Sequence, residues 1–262
     1  MSAPEAGADR IARAFASHGR RAALMPYLMG GHPDLPASRE CAAAAAASGA
    51  DLIELGVPFS DPLADGPVIH AAGTRALQAG VTPDDVLAVC ESVAGLLPVI
   101  LMVYANVVLN QGVEEYPRRA AAAGAAGLIV PDLPHEEAVE LRGACDAAGI
   151  ALVPLVAPTT PESRLAQIGA DARGFVYAVS LTGTTGERRE LPPELEAMVD
   201  RARASTSAPV AVGFGISTSD QVSAVGELAD GVIVGSRVVR AAGEGGAGAV
   251  AELVSELAVA LA

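Results

Sequence analysis

The chain has 262 residues, of which 31 are acidic and 17 basic, and its formal net charge is −14. This excess of negative charge argues against a strong nucleic-acid binder, which needs clustered Lys and Arg, and against attachment to an anionic membrane surface. Hydrophobic residues make up 51% of the chain and charged residues 18%, so a disordered chain is excluded and a large core is expected.

The mean hydropathy of +0.39 raises the question of a membrane span. No window holds about 18 uninterrupted apolar residues, so no transmembrane helix is expected. Residues 1–10 contain no apolar run and do not resemble a signal peptide. Cys41, Cys90 and Cys145 lie far apart, which predicts buried thiols in a reducing cytoplasm and neither a metal site nor a disulfide framework.

Short apolar runs rich in β-branched residues alternate with alanine-rich stretches along the whole chain. Continuous apolar runs are typical of parallel strands that are covered on both faces. Dividing 262 residues among eight such runs gives about 33 per unit, close to the size of a βα unit. The predicted strands are Leu24–Met29, Leu52–Val57, Val99–Tyr104, Gly127–Val130, Ala151–Val156, Gly174–Val179, Val210–Phe214 and Gly231–Val234.

Helix signals lie between these strands. Thr82 followed by Pro83 predicts an N-cap and a first helical residue, and Gly149 predicts a helix end. The predicted helices are Glu5–His18, Pro36–Ser48, Pro83–Gly95, Val113–Ala123, His135–Ala148, one opened by Thr160 and Pro161, Pro192–Ser205, Ser217–Leu228 and Gly248–Leu261.

The repeated alternation predicts an α/β protein, a (β/α)8 TIM barrel with an additional N-terminal helix, and a single domain over residues 1–262. An open doubly wound sheet is the alternative. Against it, the first strand–helix junction, Gly30-Gly31-His32-Pro33, lacks the Gly-x-Gly-x-x-Gly pattern of dinucleotide-binding folds.

A carboxylate interrupts the second predicted strand. Burial of Glu54 in a barrel should raise its pKa, which suits an acid/base catalyst near neutral pH. Asp61 and Asp65 follow on a proline-stiffened loop and offer a second carboxylate for a divided role. The alternatives are a Glu54 paired with a basic residue and aspartates that only form turns. Mg²⁺ binding by this group would lack specificity, so no metal site is predicted.

Glycine-rich segments follow the sixth, seventh and eighth predicted strands, at Gly183 to Gly186, Gly213 to Gly215, and Gly235 with Ser236. Glycines let main-chain N–H groups approach an anion, and the loops after strands seven and eight are the usual phosphate site of a TIM barrel. We therefore expect a phosphate site, with simple tight turns as the alternative. An apolar pocket is expected beside it, lined by Tyr27, Met102, Tyr104, Ile129 and Tyr177, although each of these residues could equally belong to ordinary barrel packing.

The second-strand segment, Asp51-Leu-Ile-Glu54-Leu-Gly-Val-Pro-Phe-Ser-Asp61-Pro-Leu-Ala-Asp65-Gly-Pro67, closely resembles the signature of the tryptophan synthase α chains. The family's later motifs resemble, in the same order, segments 101–106, 131–134, 180–186, 213–217 and 235–236. The resemblance extends from about Ile11 to the end of the chain.

The resemblance implies a lyase that cleaves indole-3-glycerol phosphate to indole and glyceraldehyde 3-phosphate in tryptophan biosynthesis, without a metal or organic cofactor. It implies that Glu54 is the principal acid/base and that Asp65 binds the indole N–H, with Tyr177 beside them as a catalytic residue. By the same resemblance, Gly186, Gly215, Gly235 and Ser236 bind the phosphate, and Tyr27, Met102, Tyr104, Ile129 and Thr185 line the indole pocket.

The resemblance also implies a partner, the tryptophan synthase β chain, in an α2β2 assembly. Its docking and signalling surface corresponds to Phe59, Asp61, Asn106, Asp132 and Pro134, and the loop at Thr185 and Gly186 to a lid. Asp61 could serve either chemistry or signalling. The chain departs from the family pattern at His32, Leu181, Thr184 and the charged stretch 187–190.

Three alternative functions stay open. They are a self-sufficient lyase that releases free indole, a non-catalytic regulatory partner of a β chain, and a different phosphate-binding barrel enzyme. The last would leave the second-strand motif without an explanation.

Overall fold

The computed structural model describes residues 6–179, 194–213 and 215–262. Within these ranges nine parallel strands form one sheet in the order β5-β4-β3-β2-β1-β9-β8-β7-β6. The strands are β1 (Ala23–Met29), β2 (Ile53–Gly56), β3 (Val99–Met102), β4 (Gly127–Ile129), β5 (Ala151–Leu152), β6 (Leu155–Val156), β7 (Val176–Val179), β8 (Val210–Gly213) and β9 (Gly231–Val234). All eight predicted strand segments are thus occupied by strand.

The sheet closes on itself through a single interrupted strand. The predicted strand Ala151–Val156 is divided at Pro154, which has no N–H to continue the ladder. On one side the Val153 N–H donates to the Leu128 carbonyl over 2.9 Å, and on the other the Tyr177 N–H donates to the Pro154 carbonyl over 2.9 Å. The two edges of the sheet are therefore halves of the same segment, and the predicted (β/α)8 barrel is confirmed.

The helices described are α1 (Gly7–Ser17), α2 (Leu35–Ala47), α3 (Pro67–Gln78), α4 (Pro83–Val93), α5 (Ala105–Gln111), α6 (Glu115–Ala122), α7 (Val139–Ala148), α8 (Glu162–Asp171), α9 (Leu195–Ser205), α10 (Ser219–Leu228) and α11 (Ser236–Val259). The helix α1 ahead of the first strand is as predicted. No helix in these ranges is long and apolar enough to cross a bilayer.

Three helical stretches were not predicted: α3, α5 and the first half of α11. The chain kinks within α11 at Gly246, where φ is +59°, and the predicted helix Gly248–Leu261 corresponds only to the part beyond this kink. The first part begins at Ser236, directly after β9. It therefore directs its N-terminus toward the mouth of the barrel.

Side chains alternate between the two faces of each strand and so form two apolar clusters, one outside and one inside the barrel. Ile53 and Leu55 pack in the outer cluster between the barrel and the helices, whereas Tyr27 and Ile100 pack in the inner cluster that fills the barrel. Because successive side chains of a strand point to opposite faces, Glu54 faces inward with the inner cluster. The cysteines Cys41, Cys90 and Cys145 are buried free thiols on helices, as predicted.

Candidate active site

Glu54 lies at the centre of the site, on β2 and inside the barrel. Its side chain is 1% exposed, and neither carboxylate oxygen has a hydrogen-bond partner among the described residues. Burial, together with the nearby Asp65 carboxylate, raises the pKa of Glu54 to about 8. Glu54 therefore has no basic partner among the described residues, and the alternative that it forms an ion pair is wrong for them. At pH 7 Glu54 is mostly protonated and can donate a proton.

Asp65 is the second carboxyl group of the site and lies near Glu54, on the loop between β2 and α3. The Tyr104 hydroxyl donates to Asp65 Oδ1 over 2.9 Å and accepts from the Ala64 N–H over 3.1 Å. Burial raises the pKa of Asp65, the hydrogen bond from Tyr104 and the proximity of His70 partly offset this rise, and the resulting pKa is about 6. Asp65 is thus mostly ionised at pH 7. The two carboxyl groups hold different protonation states, which is the condition for an acid and an electrostatic stabiliser in one site.

Two buried tyrosines flank the carboxyl groups, each packed over a glycine of the neighbouring strand. A Cβ at Gly56 would lie 2.0 Å from the Tyr27 hydroxyl, and a Cβ at Gly213 would lie 2.2 Å from the Tyr177 hydroxyl. Burial raises the pKa of both phenols, and the Glu54 carboxylate raises them further. Only glycine at these strand positions lets the rings lie so close to the barrel wall. Sequence reasoning missed this role of Gly56, because nothing in the local pattern shows which side chain crosses it.

The candidate phosphate residues described in the structure lie at the same mouth. Gly215 has φ of +83°, in the left-handed region that favours glycine. Gly235 and Ser236 lie at the N-terminus of α11, where free main-chain N–H groups and the positive end of the helix dipole attract anions. Gly186 and Thr185 lie outside the described residues, as does the rest of the predicted lid.

One cavity joins these groups. It is lined by Tyr27, Glu54, Ala64, Asp65, Ile69, Met102, Tyr177, Gly215, Ile233, Gly235 and Ser236. Its free volume is about 30 Å³ in this arrangement of side chains, far below that of typical small-molecule sites, so side chains at its mouth must move to admit a ligand of that size. Ile129 and Tyr104, both predicted as pocket residues, do not line this cavity: Ile129 is fully buried in the inner cluster, and the Tyr104 hydroxyl is hydrogen-bonded to Asp65. Ile69 and Ala64 were missed, because their positions depend on how α3 covers the barrel mouth.

The residues predicted at a docking surface lie on three neighbouring segments around Tyr104. Phe59 stacks on the Tyr104 ring, with centroids 5.1 Å apart. Asp132 Oδ1 accepts a hydrogen bond of 2.8 Å from the Ala105 N–H at the start of α5. Asp61, Asn106, Asp132 and Pro134 are exposed and Phe59 is half-buried. The structure therefore brings these segments together on one side of the site and connects them to Asp65 through Tyr104.

The described residues of the site do not form a ligand set for a metal ion. Among residues 6–179, 194–213 and 215–262, no group of three or more His, Cys, Asp or Glu side chains is placed to hold a metal ion. What the arrangement offers is a protonated carboxyl, an ionised carboxylate, two phenols and a helix N-terminus. Such a set can move a proton and stabilise charge on a phosphate-bearing substrate.

Comparison with known proteins assigns the family. The family model described as "Tryptophan synthase alpha chain" matches residues 14–260. This chain belongs to the tryptophan synthase alpha chain family. A tryptophan synthase alpha chain from Synechococcus sp. (strain CC9902) is 52% identical over 234 residues, 88% of this chain and 87% of that protein. One from Carboxydothermus hydrogenoformans is 50% identical over 235 residues, 88% of each chain.

Solved structures of the tryptophan synthase alpha chain family share the whole fold. A structure of Mycobacterium tuberculosis tryptophan synthase superposes with a TM-score of 0.90 at 39% identity, covering 98% of this chain and 99% of that one. A tryptophan synthase alpha chain from Legionella pneumophila superposes with a TM-score of 0.87 at 33% identity, covering 98% of both chains. The resemblance found in the sequence motifs is therefore confirmed at the level of family and fold.

Proposed function

We propose that this chain is the lyase subunit of a tryptophan synthase and cleaves indole-3-glycerol phosphate to indole and glyceraldehyde 3-phosphate. Family membership supports the substrate and the reaction class, a carbon–carbon lyase of tryptophan biosynthesis. The observation that carries the mechanism is the buried Glu54, whose pKa of about 8 keeps it protonated in a site that also holds an ionised carboxylate.

Glu54 supplies the proton that initiates bond cleavage. In this mechanism its carboxyl group protonates the indole ring carbon that bears the glycerol phosphate chain, which turns the ring into an indolenine cation. The resulting Glu54 carboxylate then accepts the proton of the adjacent side-chain hydroxyl as the carbon–carbon bond breaks. The hydroxyl carbon becomes the aldehyde of glyceraldehyde 3-phosphate, indole leaves, and Glu54 ends protonated as it began.

Asp65 stabilises the cation. Its ionised carboxylate accepts a hydrogen bond from the indole N–H, and the positive charge that develops on that nitrogen strengthens the interaction in the transition state. The Tyr104 hydroxyl fixes the carboxylate by donating to its Oδ1 atom. Tyr27, Met102 and Tyr177 provide apolar surface for the indole ring. In our proposal Tyr177 is also a catalytic residue, by resemblance to the family.

The phosphate group binds at the opposite end of the cavity. Gly215, Gly235 and Ser236 present main-chain N–H groups there, and the N-terminus of α11 adds a favourable dipole. Local main-chain groups thus bind an anion in a protein whose net charge is −14. Gly186 and Thr185 complete this end in our proposal, by resemblance to the family.

We propose that the tryptophan synthase β chain docks over the segments around Tyr104, in an α2β2 assembly. Two large apolar side chains are exposed on these segments, Leu63 at 76% and Leu109 at 63%. Burial of such side chains is the expected driving force of an interface. Because Phe59 stacks on Tyr104 and Tyr104 holds Asp65, a partner that presses on Phe59 acts directly on the site. The free buried cysteines are consistent with a cytoplasmic location, which we also propose.

The test is to incubate the purified chain with indole-3-glycerol phosphate and to quantify indole and glyceraldehyde 3-phosphate, with and without a β chain. The proposal predicts equimolar products, formed slowly by the chain alone and faster with β. Fast cleavage without any acceleration by β would indicate a self-sufficient lyase. Binding to β with no cleavage in either condition would indicate a regulatory partner and would contradict the role of Glu54.

A further inference from the structure

An arginine in the first turn of α11 joins the two segments that form the described part of the proposed phosphate site. One segment is the loop after β8, which contains Gly215, and the other is the N-terminus of α11, with Gly235 and Ser236. Arg237 Nη1 donates to the Ser217 carbonyl over 2.7 Å, across 20 positions of sequence. This hydrogen bond holds the loop at a set distance from the helix.

The acceptor of this hydrogen bond belongs to a peptide unit that is held from a second side. Ser217 and Gln221 are both 5% exposed. Gln221 Oε1, on α10, accepts from the Ser217 N–H over 2.8 Å and from the Thr218 N–H over 3.2 Å. The Ser217 carbonyl and the Thr218 N–H belong to one planar peptide unit. With Arg237 on the carbonyl and Gln221 on the N–H, the orientation of that unit is fixed.

Glu256 holds the guanidinium in place. Its Oε2 atom lies 3.3 Å from Arg237 Nη2, and it also accepts a hydrogen bond from the Ser219 hydroxyl at the start of α10. Arg237 and Glu256 are 19 positions apart on α11, which a straight helix would separate by about 28 Å. The kink at Gly246 removes this separation. It returns a carboxylate from the second half of α11 to the first turn.

Arg237 lies where a helix disfavours a positive charge. The N-terminus of a helix is the positive end of its dipole, so acidic residues are preferred there. The first turn of α11 contains this arginine and no acidic residue. An anion bound at Gly235 and Ser236 offsets this cost, because it interacts favourably with both the dipole and the guanidinium. Residues that break a local rule are typical of functional sites.

We propose that Arg237 is a positioning residue of the phosphate site. It holds the loop after β8 at the distance from α11 at which main-chain N–H groups of both segments reach the same phosphate. It acts through Ser217 and does not contact the reacting atoms. This inference rests on the proposed function, since it concerns the phosphate end of that site. The alternative is a residue that only stabilises the packing of α10 on α11.

Arg21 is a matched control, because it makes the same kinds of contact at the other end of the barrel. Its side chain is 39% exposed and that of Arg237 is 33% exposed. Arg21 Nη1 lies 3.3 Å from Glu227 Oε1, and Nη2 donates to the Ala260 carbonyl over 2.8 Å. Arg21 thus also joins α10 to the end of α11. It precedes β1, whereas the phosphate site follows the carboxyl ends of the strands.

The experiment measures binding of glycerol 3-phosphate to the full chain by titration calorimetry. Arg237→Met should weaken this binding at least about tenfold, the loss typical of a hydrogen bond from a charged group. Arg21→Met should bind as wild type does, although both variants should lower the midpoint of urea unfolding by similar amounts. In the lyase assay, Arg237→Met should raise KM at least about tenfold and change kcat less than about twofold, since a contact to the phosphate group is the same in ground state and transition state.

Salt separates position from charge. Between about 0.1 M and 1 M NaCl the screening length falls from about 10 Å to about 3 Å. If Arg237 acts by holding the loop, the ratio of the wild-type affinity to that of Arg237→Met should persist at the higher salt concentration. A ratio that falls to one would show that the charge of the guanidinium acts on the ligand directly, and the positioning role would be wrong.

Two further results would overturn the inference: equal affinities of wild type and Arg237→Met for glycerol 3-phosphate, or equal losses of affinity in Arg237→Met and Arg21→Met. If wild type itself does not bind glycerol 3-phosphate, the phosphate end of the proposed function fails together with this inference. If wild type binds it and Arg237→Met binds it equally well, only this inference fails.

Discussion

Replacing Glu54 by Gln should change how the stability of the fold depends on pH. The pKa of this carboxyl rises from 4.5 to about 8 in the folded protein, chiefly because the group is buried. Between these two values the folded state holds a proton that the unfolded state has released. Stability from Glu54 is therefore complete below about pH 4.5 and is lost as the pH rises toward about 8.

The size of the effect follows from the width of that window. Each pH unit within it removes about 1.4 kcal/mol of the free energy of unfolding. From pH 5 to pH 7 the wild-type chain should lose about 2–3 kcal/mol relative to Glu54→Gln, which has no proton to release. Relaxation around the charge reduces this value, and about 1 kcal/mol is a lower bound for a carboxyl without a hydrogen-bond partner.

Urea unfolding at pH 5, 6, 7 and 8 measures this difference. Glu91→Gln, which removes an exposed carboxylate on α4, is the control and should follow the wild-type curve. If the difference between wild type and Glu54→Gln were constant from pH 5 to pH 8, Glu54 would ionise as it does in water. The argument that burial keeps it protonated would then be refuted.

Three further substitutions test the surroundings of Glu54, and a fourth tests a buried hydroxyl on α6, outside the barrel. Asp65→Asn should lower the rate of indole formation at least about 10²-fold, and near-normal turnover would reject its role. Tyr104→Phe removes the hydrogen bond that lowers the pKa of Asp65, so the acid limb of the rate profile should move to higher pH; an unmoved limb would contradict the contact. Gly56→Ala should lower kcat/KM at least about tenfold by displacing the Tyr27 ring, and adding Tyr27→Phe should restore part of it; no recovery would argue against this clash. Tyr116→Phe, which removes a buried hydroxyl without a partner among the described residues, should leave stability unchanged or raise it by about 1 kcal/mol in urea unfolding, and a clear loss would reveal a hidden partner.

The strands were predictable because barrel strands are covered on both faces and appear as apolar runs. The helices were less predictable from the sequence. The start of α3 has a recognisable signal, Gly66 at the N-cap followed by Pro67, but its apolar face is short and interrupted by Gly73. Pro154 was also visible in the sequence, as a residue without an N–H that interrupts a predicted strand. What the sequence could not show is that this break is where the barrel closes, since that depends on pairing with strands on both sides.

In the site, Glu54 was predictable because it is the only charged residue in the eight predicted apolar strands. Asp65 was predictable from its place after that strand and from the family motif. The side-chain contacts around these two carboxyl groups were not predictable from the sequence. The bond from Tyr104 to Asp65 joins residues 39 positions apart, and the role of Asp132 at the start of α5 joins residues 27 apart. Both depend on the pairing of the neighbouring strands β2, β3 and β4, which brings together segments that are far apart in the sequence.

The most direct test of the central claim is single-turnover cleavage of indole-3-glycerol phosphate by wild type and Glu54→Gln, with the β chain present and indole quantified. If Glu54 carries the proton in both halves of the reaction, Glu54→Gln should abolish indole formation while its circular dichroism and its affinity for β stay unchanged. Cleavage by Glu54→Gln at a rate within tenfold of wild type would contradict the account, because the proton would then have to come from another group.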